Sequence, residues 1–477
     1  MALRGSFSRM SDPRGKKTHD DMWDSGTHGL ITRIAVVAAL AGLLFGFDTG
    51  VISGALDYIG DAFHLGDVGK SAVVSSVLLG AVVGSLVAMA IIDRIGRRRS
   101  LIASGVVFIV GSVASAVAPG VGALDIARLL LGVAIGISAV AAPMYITEIA
   151  PAARRGQLVS FFQLMITIGI LVAYVNDEAF SSNGQWRWML ITGIAPAIVL
   201  LIGMRGLPES PRWFMLKGRD ADARKVLEKV NPTEVESEMA EMRRGIDEEK
   251  SASFRALVQP VLRPALIVAI GLFIIQQFTG INTVIYYAPR IFQDAGFGAG
   301  SAAIWATVSV GVINVLATLG ALALIDRVGR KPLLYTGLAG MAVSLSAIAV
   351  SSMLSAGGTI TAADLVTVVA VWAFVAFFAI SLGPIPWLMA SELFPVGVRG
   401  KAASIATVVG WLGNLFISFT FLSLLDLIGE SATFFSYAAV AVLGFVFVWF
   451  LVPETKGRTL EEIEEGFIAR AKARLKD

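Results

Sequence analysis

Three side-chain amides lie in one segment that is otherwise apolar and long enough to cross a bilayer: Gln276, Gln277 and Asn282. Each polar group left without a partner in lipid costs several kcal/mol, so these amides must face protein, water or a polar ligand. Gly280 interrupts the same segment, which favours a broken helix that lines a cavity. The alternative is packing between helices, where such amides contribute about 0.6 to 2 kcal/mol each.

A carboxylate and a guanidinium occupy two other apolar segments. Asp48 lies about 25 Å along the first predicted span at 1.5 Å per residue, and Arg128 lies near the start of the fourth, at a matching depth. An ionisable group inside a membrane marks a candidate functional site. Burial favours the protonated carboxyl and a nearby arginine favours the carboxylate, so a movement that separates the two would switch the proton affinity of Asp48. The alternative is a permanent ion pair that only fixes helix packing.

The composition assigns the chain to the integral membrane proteins. Of 477 residues, 56% are hydrophobic and 16% are charged, and the mean hydropathy is +0.74; soluble domains carry about 25% charged residues. The absence of cysteine excludes disulfides and thiolate catalysis, and the three histidines lie outside the apolar runs, so no metal site is expected. The net charge is +3, but the basic residues cluster between apolar segments, which indicates membrane orientation and not nucleic-acid binding.

Twelve apolar segments have the length of roughly 20 residues that a helix needs to cross a bilayer. An all-α membrane protein is therefore expected. The segments are 31–54, 71–92, 100–118, 124–146, 157–177, 187–206, 264–287, 302–325, 333–354, 366–390, 402–425 and 432–452.

Lysine and arginine are concentrated in the connections that follow even-numbered spans, as at Arg94 and Arg327. Because such residues accumulate on the cytoplasmic side, both termini are expected in the cytoplasm. The expected cytoplasmic parts are an N-terminal tail (1–30), a helical linker (207–261) and a C-terminal tail (453–477). The linker carries charges of both signs, which is typical of a solvated face; a regulatory docking surface is the alternative.

Three motifs recur in the same order in the first and second parts of the chain. They begin at Asp93 and Asp326, at Glu148 and Glu392, and at Pro208 and Pro453. Each follows the matching span in its set of six. The repetition predicts two related six-helix halves, 31–206 and 262–452.

Together with Gln276-Gln277-x-x-Gly280-x-Asn282 and Gly383-Pro384-Ile385-Pro386-Trp387, these repeats resemble the sugar porter family of the major facilitator superfamily over nearly all of residues 30–465. The resemblance implies the major facilitator fold, with twelve transmembrane helices in two six-helix halves and a cytoplasmic helical linker. The segments around Gln163 and Trp186 most resemble the galactose–proton symporters of bacteria, which implies a hexose substrate, galactose or glucose.

The resemblance also implies a sugar site made of amides and aromatic rings. An amide offers both a donor and an acceptor to a hydroxyl, and an indole offers a flat apolar face with one N–H donor. Lipid-facing or core packing is the alternative for each aromatic residue. The residues expected at the site are Gln163, Gln276, Gln277, Asn282, Asn314, Gly383, Trp387 and Asn414, with Phe45, Phe378 and Trp411 as an aromatic wall.

Asp48 is expected to carry the coupling proton, with Arg128 as its partner, because similar symporters have an aspartate at this place and facilitative relatives generally have an uncharged residue. Two positions depart from the family pattern. Gly193 stands where some proton-coupled relatives have a glutamate, which leaves Asp48 as the principal proton carrier. Ala379 stands where facilitative glucose transporters have a glutamate, which weakens a facilitator interpretation.

Alternating access would let the two halves rock about a sugar site at the midplane, with helix breaks at Gly280 and 383–386 as gates. Paired charges at the cytoplasmic ends are expected to form a latch that holds the outward-facing state. As loop charges alone, they would only be solvated and set the topology. The expected latch residues are Asp93, Arg97, Arg98, Glu148, Arg155, Glu209, Asp326, Arg330, Glu392, Arg399 and Glu454.

The expected function is import of a hexose with a proton across the cell inner (cytoplasmic) membrane, driven by the proton gradient and without a cofactor. The expected partners are the sugar, the proton and the lipid bilayer, and the chain is expected to be a monomer. A facilitator, a pentose or inositol symporter and a non-transporting sugar sensor remain alternatives. An enzyme is not expected, because the sequence has no nucleophile–base pair, phosphate loop or metal cluster. Drug export is not expected either, because a drug exporter would need a broader apolar cavity with fewer amides than the seventh span provides.

Overall fold

Helices account for nearly all of the chain that the structure describes. A computed structural model describes residues 25–150, 155–182, 184–251, 254–297, 301–354, 362–457 and 462. Most of the two predicted tails therefore lies outside the described residues. The helices of the first half are α1 (Ser25–Phe63), α2 (Asp67–Ile95), α3 (Arg97–Ala116), α4 (Val121–Ile149), α5 (Arg155–Ser181), α6 (Trp186–Ile191) and α7 (Ile194–Arg205).

The linker and the second half continue the helical pattern. The linker helices are α8 (Pro211–Leu216), α9 (Asp220–Val230) and α10 (Val235–Ser251), followed by a 3₁₀ turn (Phe254–Val258). The helices of the second half are α11 (Arg263–Phe278), α12 (Ile281–Phe292), α13 (Ser301–Val328), α14 (Arg330–Leu354), α15 (Ala362–Ile380), α16 (Ile385–Glu392) and α17 (Val396–Leu451), with a π turn (Gln293–Phe297) after α12.

Eleven stretches of the described residues are helical, long and apolar enough to cross a membrane. The last of them, Gly397–Leu451, has 55 residues, far more than one crossing needs. Gly429 interrupts it with a φ of 80°, a left-handed conformation that glycine adopts without steric cost. The segment therefore accounts for two crossings, and the prediction of twelve is confirmed.

Two crossings are broken where the sequence predicts a break. Gly280, with a φ of 83°, separates α11 from α12. A Cβ at this position would also lie 2.4 Å from the ring of Tyr437, so both backbone and packing require glycine. Residues 381–384 separate α15 from α16, because Pro384 has no N–H with which to continue the helix.

Glycines bring the helices of each half into backbone contact. On α1, four glycines spaced four residues apart face α5, and at Gly46 a Cβ would lie only 1.9 Å from the carbonyl oxygen of Ile166. On α2, Gly80 approaches the carbonyl oxygen of Leu129 on α4 in the same way. Because lipid provides no hydrophobic drive for association, such close van der Waals packing stabilises each half.

The two halves meet along α2 with α17 and along α5 with α13. The linker helices lie at one end of the bundle, where the indole N–H of Trp213 donates to the carbonyl of Asp93 (3.1 Å) and α10 packs on α17. We call this end the linker face and the opposite end the far face.

Charged residues at the linker face form one cluster in the first half. The guanidinium of buried Arg97 donates to both carboxylate oxygens of Glu148 (2.9 and 3.0 Å) and to Asp93 (3.1 Å). The carboxylate of Glu209 accepts the backbone N–H groups of Arg97 (2.8 Å) and Arg98 (3.0 Å). Glu209 therefore caps the start of α3, whose first N–H groups have no partner within the helix.

The second half repeats this cluster at the start of α14. Arg330 donates to Glu392 (2.8 Å) and to Asp326 (3.3 Å). The carboxylate of Glu454 accepts the backbone N–H groups of Arg330 (3.1 Å) and Lys331 (2.9 Å). The two sets of repeated motifs thus build two copies of one arrangement.

The ion pairs of Arg97 and Arg330 join residues of the same half. Two other predicted latch residues donate to nearby backbone carbonyls. Arg98 donates to the carbonyl of Met204 (2.8 Å), and Arg399 donates to the carbonyl of Phe394 (3.1 Å). Arg155 begins α5, but its side chain lies outside those described. A latch between the halves stays a prediction.

The Gly46 contact predicts a stability effect. Gly46→Ala would place a methyl group against the backbone of α5 and force the helices apart, so we expect a loss of about 1 to 3 kcal/mol in the free energy of unfolding. Thermal unfolding in detergent, followed by tryptophan fluorescence, measures the shift. Gly320→Ala on α13 is the matched control, because nothing lies within 4 Å of its added Cβ. An equal fall in both variants would contradict the close-packing account.

The cap on α14 predicts a pH effect. Burial raises the pKa of Glu454, and the backbone N–H groups of Lys456, Lys331, Arg330 and Thr455 lower it by more, so this pKa lies below its ordinary value of 4.5. The carboxylate therefore stabilises the fold above about pH 4.5, and that contribution is lost as the pH falls through the lower, folded-state pKa.

We expect Glu454→Gln to lower the free energy of unfolding at about pH 7 by about 0.5 to 2 kcal/mol, as loss of a helix cap does. Acidification to about pH 4 should then lower the melting temperature less than in the wild type. Glu228→Gln, which removes an exposed carboxylate from α9, should change neither value. A wild-type acid response in Glu454→Gln would rule out a contribution from the cap.

Candidate functional site

A cavity between the two halves collects the predicted sugar-site residues. Its empty volume is about 880 Å³ and includes space open to solvent. All eleven predicted residues line it: Phe45, Gln163, Gln276, Gln277, Asn282, Asn314, Phe378, Gly383, Trp387, Trp411 and Asn414. Their role in binding stays a prediction.

The amides at the broken helix form an ordered chain of hydrogen bonds. Asn282 donates to Gln277 (2.6 Å), Gln277 donates to Gln276 (3.0 Å), and Gln276 donates to the carbonyl of Leu382 (2.6 Å) in the break between α15 and α16. Both helix breaks are thereby connected. The chain fixes which face of each amide points into the cavity, so a ligand would meet donors and acceptors already oriented.

Aromatic rings from both halves bound the cavity. Phe45 contacts Trp411 (5.2 Å between ring centroids), and Phe273 meets Trp387 edge to face (4.8 Å). The indole N–H of Trp411 is buried and makes no hydrogen bond in the structure. A ligand hydroxyl in the cavity would give this donor the partner that a buried polar group needs.

The remaining lining residues were not predicted from the sequence. Several lie one helical turn from a predicted residue, such as Thr49 after Phe45 and Thr167 after Gln163. Helical periodicity could have found these. The unpredicted lining residues are Thr49, Ala139, Phe162, Ile166, Thr167, Ile170, Phe273, Ile281, Ile285, Ala379, Thr407 and Gly410.

The contacts and exposure of its lining indicate a cavity closed at the far face and open toward the linker face. At the far end the hydroxyl of Tyr174 on α5 donates to the carbonyl of Ile285 on α12 (2.9 Å), a contact between the halves, and neighbouring Tyr286 is only 1% exposed. Trp387 also lines the cavity and is 40% exposed. It lies on α16, which ends at Glu392 in the linker-face cluster.

Asp48 and Arg128 form the buried ion pair that the sequence predicts. Their Oδ2 and Nη2 atoms are 3.6 Å apart, and the two side chains are 4% and 0% exposed. Arg128 also donates through Nε to the carbonyl of Val73 (2.9 Å), while its two terminal nitrogens make no hydrogen bond. The guanidinium is therefore held by its neighbours, but its contact with the carboxylate is long.

One detail of the Asp48 prediction needs correction. Helix α1 extends from Ser25 to Phe63, beyond both ends of the predicted span. Asp48 therefore lies nearer the middle of its helix than the predicted 31–54 boundaries place it. Thr49, the next residue, lines the cavity, so the ion pair lies beside the candidate binding site and not at the surface.

The arrangement can bind an uncharged molecule rich in hydroxyl groups and can hold a proton next to it. Amides and an unpaired indole N–H can hydrogen-bond to hydroxyls. A proton and an arginine compete for the carboxylate, so that carboxyl can bind and release a proton. Within the described part of the chain, no three histidine, aspartate or glutamate residues are grouped as metal ligands.

The comparisons with known proteins agree with this geometry. The family model described as "Sugar (and other) transporter" matches residues 34–467. The galactose-proton symporter of Escherichia coli K12 is 42% identical over 443 residues, which cover 92% of this chain and 95% of the symporter. The putative metabolite transport protein YwtG of Bacillus subtilis is also 42% identical, over 90% of this chain and 93% of that protein.

Solved structures give the same result. The proton:xylose symporter XylE bound to 6-bromo-6-deoxy-D-glucose aligns with a TM-score of 0.80 and 34% identity, covering 92% of this chain and all of that one. A partially occluded inward-open structure of XylE from E. coli aligns with a TM-score of 0.78 and 32% identity, over 91% of this chain and all of that one. The chain thus belongs to the sugar porter family of the major facilitator superfamily, as a multi-pass membrane transporter and not an enzyme.

Proposed function

We propose that this transporter imports a hexose, galactose or glucose, together with a proton. The observation that carries the proposal is the buried Asp48–Arg128 pair beside a cavity lined by oriented amides. The proton gradient would supply the energy, and no cofactor would take part. The 42% identity to the galactose-proton symporter of E. coli supports both the sugar class and the coupling.

Sugar hydroxyls would bind mainly to the second half. Four of the six amides that line the cavity lie on α11, α12 and α13, and Asn414 lies on α17; only Gln163 belongs to the first half. Trp387 and Trp411 would stack on the apolar face of the ring, and the free indole N–H of Trp411 would bind a hydroxyl. The first half would thus carry the proton site and the second most of the sugar site.

The proton would bind Asp48 while the cavity is open at the far face. Protonation removes the attraction to Arg128, and the sugar then binds between the halves. In the structure the far-face contacts have formed and the cavity opens toward the linker face. This arrangement corresponds to release, after which Arg128 would pair again with the carboxylate and keep it ionised.

The two linker-face clusters would act when the halves close at that end. In the open arrangement, Arg97 and Arg330 each bind carboxylates of their own half. Rocking would bring the clusters together and hold the outward-facing state. The linker face would lie in the cytoplasm with both termini, and the chain would work as a monomer in the inner (cytoplasmic) membrane.

Facilitated diffusion without proton coupling is the second candidate. Ion pairs between buried groups also occur as fixed packing contacts, and the pair in the structure would serve either role. Proton movement during sugar uptake distinguishes the two functions.

Asp48→Asn tests the coupling. The asparagine has nearly the same shape but cannot carry a proton, so we expect sugar exchange across the membrane to persist while sugar-driven proton uptake falls by at least about tenfold. Proteoliposomes with an internal pH dye measure the protons, and counterflow of labelled sugar measures exchange. Asp57→Asn is the matched control on α1, because Asp57 pairs with Lys70 (2.7 Å) and is partly exposed. Undiminished proton uptake in Asp48→Asn would overturn symport through this residue.

Asn282→Leu tests the sugar site. Loss of the amide removes one link of the Asn282–Gln277–Gln276 chain and one partner for the sugar, which predicts an affinity lower by about 5- to 150-fold. Tryptophan quenching on titration with D-galactose, D-glucose, D-xylose and myo-inositol measures the affinities. Galactoses that each lack one hydroxyl provide the control. For the analogue that lacks the hydroxyl bound by Asn282, the wild type and the variant should have the same affinity. Unchanged affinity for all four sugars would exclude Asn282 from the site.

A further inference from the structure

One hydroxyl group lies between the candidate sugar site and the candidate proton site. Tyr286 belongs to α12 in the second half, is 1% exposed, and stands next to Ile285, which lines the cavity. Its hydroxyl has neighbours in both halves. These neighbours distinguish it from an ordinary buried tyrosine.

On the side of the second half, the hydroxyl touches a predicted sugar ligand. The amide of Asn414 donates to the Tyr286 oxygen (3.4 Å), and its carbonyl accepts from Ser418 (3.0 Å). Both ends of this cavity amide are therefore held by protein groups. Any shift of the Tyr286 hydroxyl changes how the Nδ2–H group of Asn414 is presented to a ligand.

On the side of the first half, Tyr286 lies near the ion pair, because α12 packs on α1, the helix that carries Asp48. Its hydroxyl is close enough to interact electrostatically with Asp48 and Arg128 and to approach the hydroxyl of Thr49. Thr49 already donates to the carbonyl of Phe45 (2.8 Å), so its oxygen is left to accept. Thr49 both follows Asp48 in the chain and lines the cavity.

We propose that Tyr286 is the positioning residue that couples sugar binding to the protonation of Asp48. The hydroxyl carries a single proton to donate, and it neither gains nor loses that proton in the cycle. An ionised Asp48 draws the O–H dipole toward the first half. When Asp48 is protonated, this attraction on the Tyr286 O–H dipole is lost. The hydroxyl can then hold Asn414 in the orientation that binds the sugar.

The position of Tyr286 on a movable element fits this role. Helix α12 begins at the break at Gly280 and has a non-helical conformation at Tyr287 (φ −116°, ψ 17°). The part of α12 between these two points can therefore pivot at both of its ends. When α12 swings away from the first half, Tyr286 leaves Asp48 and Arg128. The link would then act in the arrangement that is closed at the far face, where sugar and proton exchange with the linker side, and it would tie proton release to sugar release there.

Thermodynamic reciprocity makes the inference testable. If protonation of Asp48 raises sugar affinity, then sugar binding must raise the proton affinity by the same factor. The dissociation constant for sugar should therefore rise as the pH rises through the titration of Asp48. The titratable and charged groups that face these residues in the described structure are Arg128 beside Asp48, Asp125 beside Arg128, and Tyr174 and Tyr287 beside Tyr286.

The experiment compares Tyr286→Phe with Tyr287→Phe. Both replacements remove one buried tyrosine hydroxyl, but that of Tyr287 donates to the carbonyl of Ser418 (3.1 Å), and its electrostatic neighbours are Tyr286, Tyr437 and Asp67. D-galactose and D-glucose binding is titrated from about pH 5 to 9, and proton uptake per sugar is measured in proteoliposomes. In the wild type and in Tyr287→Phe we expect affinity to change at least about tenfold over this range.

In Tyr286→Phe we expect a change of less than about twofold, a proton-to-sugar ratio reduced at least about fivefold, and counterflow exchange within about threefold of the wild type. A role in packing alone would lower exchange and leave the pH dependence unchanged. Thr49→Val gives an independent measurement if Tyr286→Phe does not fold, and it too should flatten the pH dependence.

The inference rests on the proposed symport, and the outcomes separate the two. If the wild type shows neither proton uptake nor pH-dependent binding, symport and the role of Tyr286 are both overturned. If the wild type is coupled and Tyr286→Phe keeps its pH dependence and proton ratio, only the role of Tyr286 is overturned.

Discussion

The structure depends on one constraint: lipid provides no hydrogen bonds, so every polar group within the membrane must find a partner in the protein or in a ligand. The amide chain from Asn282 to Leu382 meets this constraint at both helix breaks. Asp48 and Arg128 meet it by facing each other, although at 3.6 Å and with two guanidinium nitrogens unbonded. Where satisfaction is incomplete, as at that pair and at the indole of Trp411, buried N–H donors are left without a protein partner.

The structure combines two tightly packed halves with short broken helices beside the cavity. Glycines such as Gly46 let α1 and α5 pack backbone against backbone, so that the first half can move as one body. The breaks at Gly280 and around Gly383 leave α12 and α16 as short segments beside the cavity. Residues on these segments can change their contacts while the packing of each half stays intact.

The repeated motifs build the same charge cluster in both halves. Glu209 and Glu454 each cap a helix start, and Arg97 and Arg330 each bind a glutamate of the same half. The carboxylates compensate N–H groups and a helix dipole that would otherwise face the membrane boundary. These contacts stabilise the ends of α3 and α14 within each half.

Hydropathy and the repeated motifs were enough to predict the twelve crossings, the two halves, the break at Gly280 and the pairing of Asp48 with Arg128, because each depends on residue type and order along the chain. The full set of eleven predicted residues came from the resemblance to the sugar porters, and all eleven line the cavity. The tertiary structure alone decided that Thr49 and Phe273 share that cavity, that the ion pairs of Arg97 and Arg330 stay within their halves, and that Asn414 binds the hydroxyl of Tyr286. These features depend on how helices distant in sequence turn toward each other, and a linear pattern carries only the periodicity of one helix at a time.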